Sequence, residues 1–162
     1  MRRVILVMLL LSVFTIVRSQ NLQLHYDMGK GRQYFSSTVE MFRPDKLGNT
    51  FFSIDMDYNA GDVKGVSLAY LEIARAIKLG QIPYLFHIEY NGGFFQYAPG
   101  SSFQIDDSWL CGVERSWDSP DFSKGITLQA LYKYIRAKHD LSFQLTSVWY
   151  WNFFKDKVSF CG

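Results

Sequence analysis

Seven carboxylates, Asp27, Glu40, Asp55, Asp57, Glu72, Glu89 and Glu114, fall at positions that would share one face of a folded sheet, with His25, His87 and Lys133 among them. Acids and bases gathered on one wet surface hydrate and orient polar solutes, and their types and spacing support that chemistry. Six of these residues, Glu40, Asp55, Asp57, Glu72, Glu89 and Lys133, form the candidate lining of a polar lumen. Other chemistry fails on spacing. Asp55 and Asp57 stand at i,i+2, as paired carboxylates for acid–base work could. Two such neighbours on a wet strand face are, however, most often simply solvated. His25, His87 and His139 lack the spacing of metal ligands. No phosphate loop, nucleophile elbow or zinc motif occurs, so no enzyme activity, cofactor or metal is expected. The bland alternative is that the charges satisfy one another in a plugged interior or lie on a solvated face.

Alternation is what would put these groups on one face, and it is clearest in 49–58 (NTFFSIDMDY). There Phe52, Ile54, Met56 and Tyr58 are apolar while Ser53, Asp55 and Asp57 are polar, the period-2 signature of a β-strand with one greasy and one wet face. A soluble sheet turns the greasy face to a core, whereas a membrane barrel turns it to lipid and the acids to the lumen. The same pattern recurs at 22–28, 34–42, 84–90, 105–116, 126–134 and 141–151. Residues 66–78 (VSLAYLEIARAIK) favour a helix by propensity, but they show no clean helical stripe and are expected as a strand. Turns fall at 29–33, 43–48, 79–83, 117–124 and 155–157, with a longer polar loop at 91–102 and a four-residue loop at 137–140. Pairing Arg43 with Gly48 would set Val39 opposite Phe52 and Glu40 opposite Phe51. A ninth strand starts at Val158 and stops after five residues.

The resulting fold class is all-β: an antiparallel, up-and-down transmembrane β-barrel of the outer-membrane type. Its eight alternating strands of seven to thirteen residues suit the roughly 9–11 that a tilted membrane strand needs. Globular strands are nearer 5–6 residues. Aromatics at strand ends (Tyr26, Tyr34, Phe35, Phe51, Tyr58, Tyr90, Trp117, Trp149, Trp151, Phe153, Phe154) fit interfacial girdles. A soluble β-sandwich is the competing fold. Single-chain bacterial barrels close on an even strand number, and seven carboxylates would crowd an eight-stranded interior filled by side chains. The chain is therefore expected to be the N-terminal part of a longer barrel, ending after about eight and a half strands, its sheet curling without sealing.

Residues 1–19 read as a signal peptide, with Arg2 and Arg3 before an apolar run from Val4 to Val17 and a cleavage site at Val17-Arg18-Ser19. The run is shorter than the roughly 20 residues of a spanning helix. The barrel domain would then span 20–162. Losing Arg2, Arg3 and Arg18 leaves 14 basic against 15 acidic residues, a net charge of −1, so nothing points to a nucleic-acid polymer as partner. Cys111 and Cys161 would lie on strands six and nine, roughly 14 Å apart at ~4.8 Å per strand, beyond the ~7 Å a disulfide spans.

The stretches NLQLHYDMGKGRQYFSSTVEMFRPDKLGNTFFSIDMDYN, GVSLAYLEIAR, HIEYNGGF and LQALYKYIRAKHDLSFQLTSVWY resemble a domain-of-unknown-function family of bacterial outer-membrane proteins. That family is similar in turn to the nucleoside-specific channel Tsx and its relatives. The resemblance covers nearly all of 20–162, and it implies an antiparallel outer-membrane barrel with a polar lumen. It carries over no solute-contact residue. The family pattern continues past SFCG with further strands and an aromatic C-terminal residue. The leading expectation is a passive channel for small polar solutes, nucleosides among them. Its location would be the outer membrane of a Gram-negative bacterium, reached by the Sec pathway, with outer-membrane lipid as its surroundings. The alternative is a small closed barrel with a structural, ligand-binding or lipid-modifying role and no pore.

Overall fold

The computed structural model describes residues 20–30, 32–138, 142–154 and 157–162. The expected signal peptide, the loop residues His139 and Asp140, the start of strand eight at Leu141 and the turn residues Lys155 and Asp156 lie outside them. Nine antiparallel strands form one meander: β1 (Gln20–Asp27), β2 (Tyr34–Asp45), β3 (Gly48–Tyr58), β4 (Val66–Lys78), β5 (Leu85–Ala98), β6 (Ser101–Asp118), β7 (Lys124–Ile135), β8 (Ser142–Phe153) and β9 (Val158–Cys161). Each pairs with its sequence neighbours in the order β1 to β9. The sheet curls into a half-barrel. Among the described residues β1 pairs only with β2, and no hydrogen bond joins it to β8 or β9, so the sheet does not seal.

The ambiguous segment 66–78 is a strand. Flanked by β3 and β5, its backbone finds ladder partners along both edges, and those pairings outweigh a weak local helix propensity. The β2–β3 hairpin differs from expectation in register. Asp45 pairs with Gly48, leaving a two-residue Lys46-Leu47 turn, and Val39 faces Ile54 instead of Phe52. The slip is of two residues, so every side chain keeps its face. Leu47 N–H donates to the Asp45 carboxylate at 2.7 Å, which tightens the turn by one side-chain bond that the sequence pattern did not weigh.

The expected loop at 91–102 is mostly strand. β5 continues to Ala98 and β6 begins at Ser101, with only Pro99-Gly100 between them. Gly100 has φ 72°, a conformation glycine adopts without strain. The Asn91-Gly92-Gly93 triplet marks an irregular step in the ladder, where Asn91 pairs Ser108 and Gly93 pairs Ile105. A glycine inside a strand signals close backbone approach as readily as a turn. Here it does the former. An alanine Cβ at Gly93 would lie 2.1 Å from the Ala69 carbonyl oxygen, and one at Gly112 would lie 2.1 Å from that of Ala130.

The turn after β6 is shorter than the expected 117–124, because Trp117, Asp118 and Lys124 belong to strands. Within it the Ser119 hydroxyl, followed by the Ser123 N–H and hydroxyl, holds the Asp121 carboxyl down at about 2. The ordinary aspartate value is about 3.9. A lowered folded-state value contributes stability above the unfolded value and loses it as pH falls through the folded one. Asp121 should therefore titrate near 2 in a carboxyl-resolved NMR titration, with the turn loosening only below about pH 4. A midpoint at the unfolded value would contradict the turn geometry.

Paired residues share a face, so the register sorts the sheet into two surfaces. On one lie Leu22, Leu24, Phe52, Ile54, Ile73, Ile88, Val113, Leu128, Phe143 and Leu145. Leu22, Leu24, Phe143 and Leu145 are each 70% or more exposed. The other surface holds several of the least exposed residues, among them Ala74, Ala76, His87, Leu110, Glu114 and Leu131. It is the concave one, since the Asn49 amide on β3 reaches the Glu114 carboxylate on β6 at 3.1 Å. Side chains two strands removed from being neighbours meet only where a sheet curls toward them.

Candidate functional site: a polar trough

The concave face carries all six candidate residues. Glu40 sits opposite Ser53, Asp55 opposite Thr38 and Tyr70, Glu72 opposite Asn91 and Ser53, and Lys133 opposite Leu110. Asp57 and Glu89 share that face by parity with Asp55 and His87. Their chemistry is uneven. Asp55 accepts a hydrogen bond from the Thr38 hydroxyl. Lys133 donates to Gln144 at 3.4 Å. Glu40, Asp55, Asp57 and Glu72 make no ion pair among the described residues.

The best-organised part of the trough centres on residues outside the candidate list. His87 is 4% exposed and Glu114 likewise 4%. His87 Nδ1 lies 2.8 Å from Glu114 and Nε2 lies 3.1 Å from Glu89. An ionised carboxylate only accepts, so an imidazolium donating from both nitrogens satisfies the pair of contacts. Asn49 and Gln129 donate to Glu114, and Asn91 donates to Glu89. No buried side-chain polar atom among the described residues lacks a partner. The network ties β3, β5, β6 and β7 together across the trough. Glu114 and His87 were assigned inward by alternation, but alternation gives no measure of depth. Asn91 was missed because Asn-Gly-Gly reads as a loop.

Nearer the end of the trough that bears the Pro99-Gly100 turn, Lys133 shares a cavity of about 470 Å³ with Tyr70, Asn91, Phe103 and Lys138. Here two rings and two cations stand beside the amides of Asn91 and Gln104. His25 instead lies on the edge strand β1 and hydrogen-bonds to the Gln23 side chain at 3.0 Å. Among the described residues no group of His, Cys, Asp and Glu is arranged to hold a metal. Cys111 and Cys161 are free and exposed on β6 and β9.

The convex face is ordered differently. Its charged residues sit at its ends. Arg75 is clamped by Asp45 at 2.6 and 3.0 Å, Arg115 stacks on Tyr84 and Trp117, and Lys124 stands over Trp151. At the opposite end Asp107 accepts from Tyr90 and Arg136. Between these ends the surface is apolar apart from small residues and Ser37, whose hydroxyl meets that of Tyr58 at 2.9 Å. Aromatics line both ends, with Tyr84, Trp117, Trp149 and Trp151 at one and Tyr26, Phe35, Tyr58, Tyr90, Trp109 and Tyr134 at the other. Two residues expected in the girdles are elsewhere. Tyr34 and Phe51 pair with Asp27 and Ala74 on the concave side, a consequence of parity that the end-of-strand position alone does not reveal.

A family model described as "Domain of unknown function (DUF5020)" matches residues 19–162. No curated protein and no solved structure matches the chain. No helix among the described residues is long and apolar enough to cross a membrane, which has no bearing on strands.

Proposed function

For a chain that belongs to the DUF5020 domain-of-unknown-function family, we propose a role as wall of an outer-membrane β-barrel that passes small polar solutes. The observation behind this reading is the contrast between the two faces. The convex face is greasy between charged, aromatic ends, as a lipid-facing surface must be. The concave face is polar and hydrogen-bonded, as a lumen is. A soluble sandwich would bury the greasy face, yet this one leaves Leu22, Leu24, Phe143 and Leu145 largely bare. Location in a Gram-negative outer membrane and export through the Sec pathway belong to this same proposal, as does the likeness to the nucleoside channel Tsx.

Charge narrows the solute class. Glu40, Asp55, Asp57 and Glu72 outnumber Lys133 and Lys138, and none of these six makes an ion pair among the described residues. An acid-lined passage favours cations and neutral polar solutes over anions. The full-length protein, reconstituted in planar bilayers, is expected to conduct with cation selectivity. The triple variant Glu40→Gln, Asp55→Asn, Asp57→Asn should shift the reversal potential toward zero. Vesicle swelling with nucleosides, sugars and amino acids indistinguishable from that of empty vesicles would end the channel reading. The tight cross-trough network from Asn49 to Gln129 favours a second reading, a structural or ligand-binding barrel without a pore. That reading predicts the absence of flux.

A further inference from the structure

Arg115 stands on the convex face opposite Leu128, which pairs in turn with Ser147, and beside Val113 and Trp117 on its own strand. Its guanidinium lies 4.5 Å from the Trp117 ring centroid and 5.2 Å from that of Tyr84, and it donates to the Tyr84 hydroxyl at 3.3 Å. Among the described residues no carboxylate pairs with it. Arg75, which also faces outward between strands, is already neutralised by Asp45. A groove of about 410 Å³ runs from Arg115 between Val113, Leu128, Ala130 and Leu145. The small Ala130 leaves its floor open between larger neighbours on β6 and β8.

We propose that this groove is a phospholipid site, with the phosphate at Arg115 and an acyl chain along Val113, Ala130 and Leu145. It rests on the lipid-facing reading of the convex face. Charge complementarity selects the occupant: an unpaired guanidinium held at the head of an apolar channel matches an anion joined to a hydrocarbon tail. Arg offers a planar fork that takes phosphate oxygens two at a time. Stacking on Tyr84 and Trp117 fixes that fork at the level of an aromatic belt, where a headgroup lies. A free phosphate would match Arg115 but leave the groove unfilled.

The test is native mass spectrometry of the full chain released from micelles containing phosphatidylglycerol. Wild type should retain lipid. Arg115→Gln should bind it about tenfold more weakly, the scale of one lost charge-assisted contact. Ala130→Leu, which fills the groove without touching charge, should weaken retention too, while Arg75→Gln should not. Excess inorganic phosphate should fail to displace the lipid. Equal retention by Arg115→Gln and wild type would overturn the site, as would displacement by phosphate. Release of the chain from vesicles by alkaline carbonate would instead sink the membrane reading itself. Arg115→Gln retained in the membrane yet binding lipid like wild type would sink the site alone.

Discussion

Replacing Glu114 by leucine is expected to destabilise the folded chain by about 3–5 kcal/mol, the scale for removing one partner of a buried charge pair. Leucine is close to glutamate in volume, so a cavity contributes little. The loss comes from what remains. His87 Nδ1, the Asn49 amide and the Gln129 amide all lose the acceptor they share, and the buried ring keeps only Glu89. Leaving a buried donor unpaired costs its full desolvation, which exceeds the net worth of the bond itself. The double variant His87→Leu, Glu114→Leu should therefore be more stable than Glu114→Leu alone, because it removes the stranded charge. Equilibrium urea unfolding in vesicles, followed by tryptophan fluorescence, reads both. Single-variant stability within about 0.5 kcal/mol of wild type, the range of an ordinary surface change, would mean the network does not hold β3 to β6.

Alanine at Gly93 or Gly112 should cost about 3 kcal/mol or more in the same measurement, at the upper end of overpacking penalties. At both positions the added Cβ would meet a neighbouring strand's carbonyl oxygen at 2.1 Å. A backbone atom held in a ladder cannot swing aside, so the strands must part or the register must slip. Both glycines face the trough, Gly112 between Leu110 and Glu114 and Gly93 opposite Tyr70. Their bare backbone lets the sheet curl at that point, as glycine kinks do in curved sheets. Gly92 is the control. A Cβ there meets only the tips of Asp107 and Tyr90, at 3.0 Å, which can rotate away, so Gly92→Ala should be distinctly milder. Equal tolerance of all three substitutions would refute the close-approach account.

Much of the fold was legible because side-chain direction in a strand has a strict period of two. Residues such as Phe52 and Asp55 declare their faces without knowledge of any partner. That is why a two-residue error in the β2–β3 register moved Val39 from Phe52 to Ile54 yet left both surfaces intact. Glycine was where reading failed. Asn91-Gly92-Gly93 has the composition of a loop, and nothing local distinguishes a turn from a strand whose neighbour comes close. The long β5–β6 hairpin was divided there in consequence, and Asn91 was lost from the trough.

The sequence by itself determined the strands, their alternation and the company each charge keeps on its face. Glu40, Asp55, Asp57, Glu72, Glu89 and Lys133 were assigned to one surface on that basis, and one surface holds them. Only the tertiary structure decided which of the charges on that surface meet. Asn49 and Glu114 are 65 residues apart and no pattern along the chain relates them. They touch because the sheet curls, and curvature is set by ladder irregularities and bare glycine backbone acting over several strands at once. Depth follows the same cause. Glu114 sinks to 4% exposure at the centre of the curl, while His25, with the same inward parity, stays exposed on an edge strand that has a neighbour on one side only.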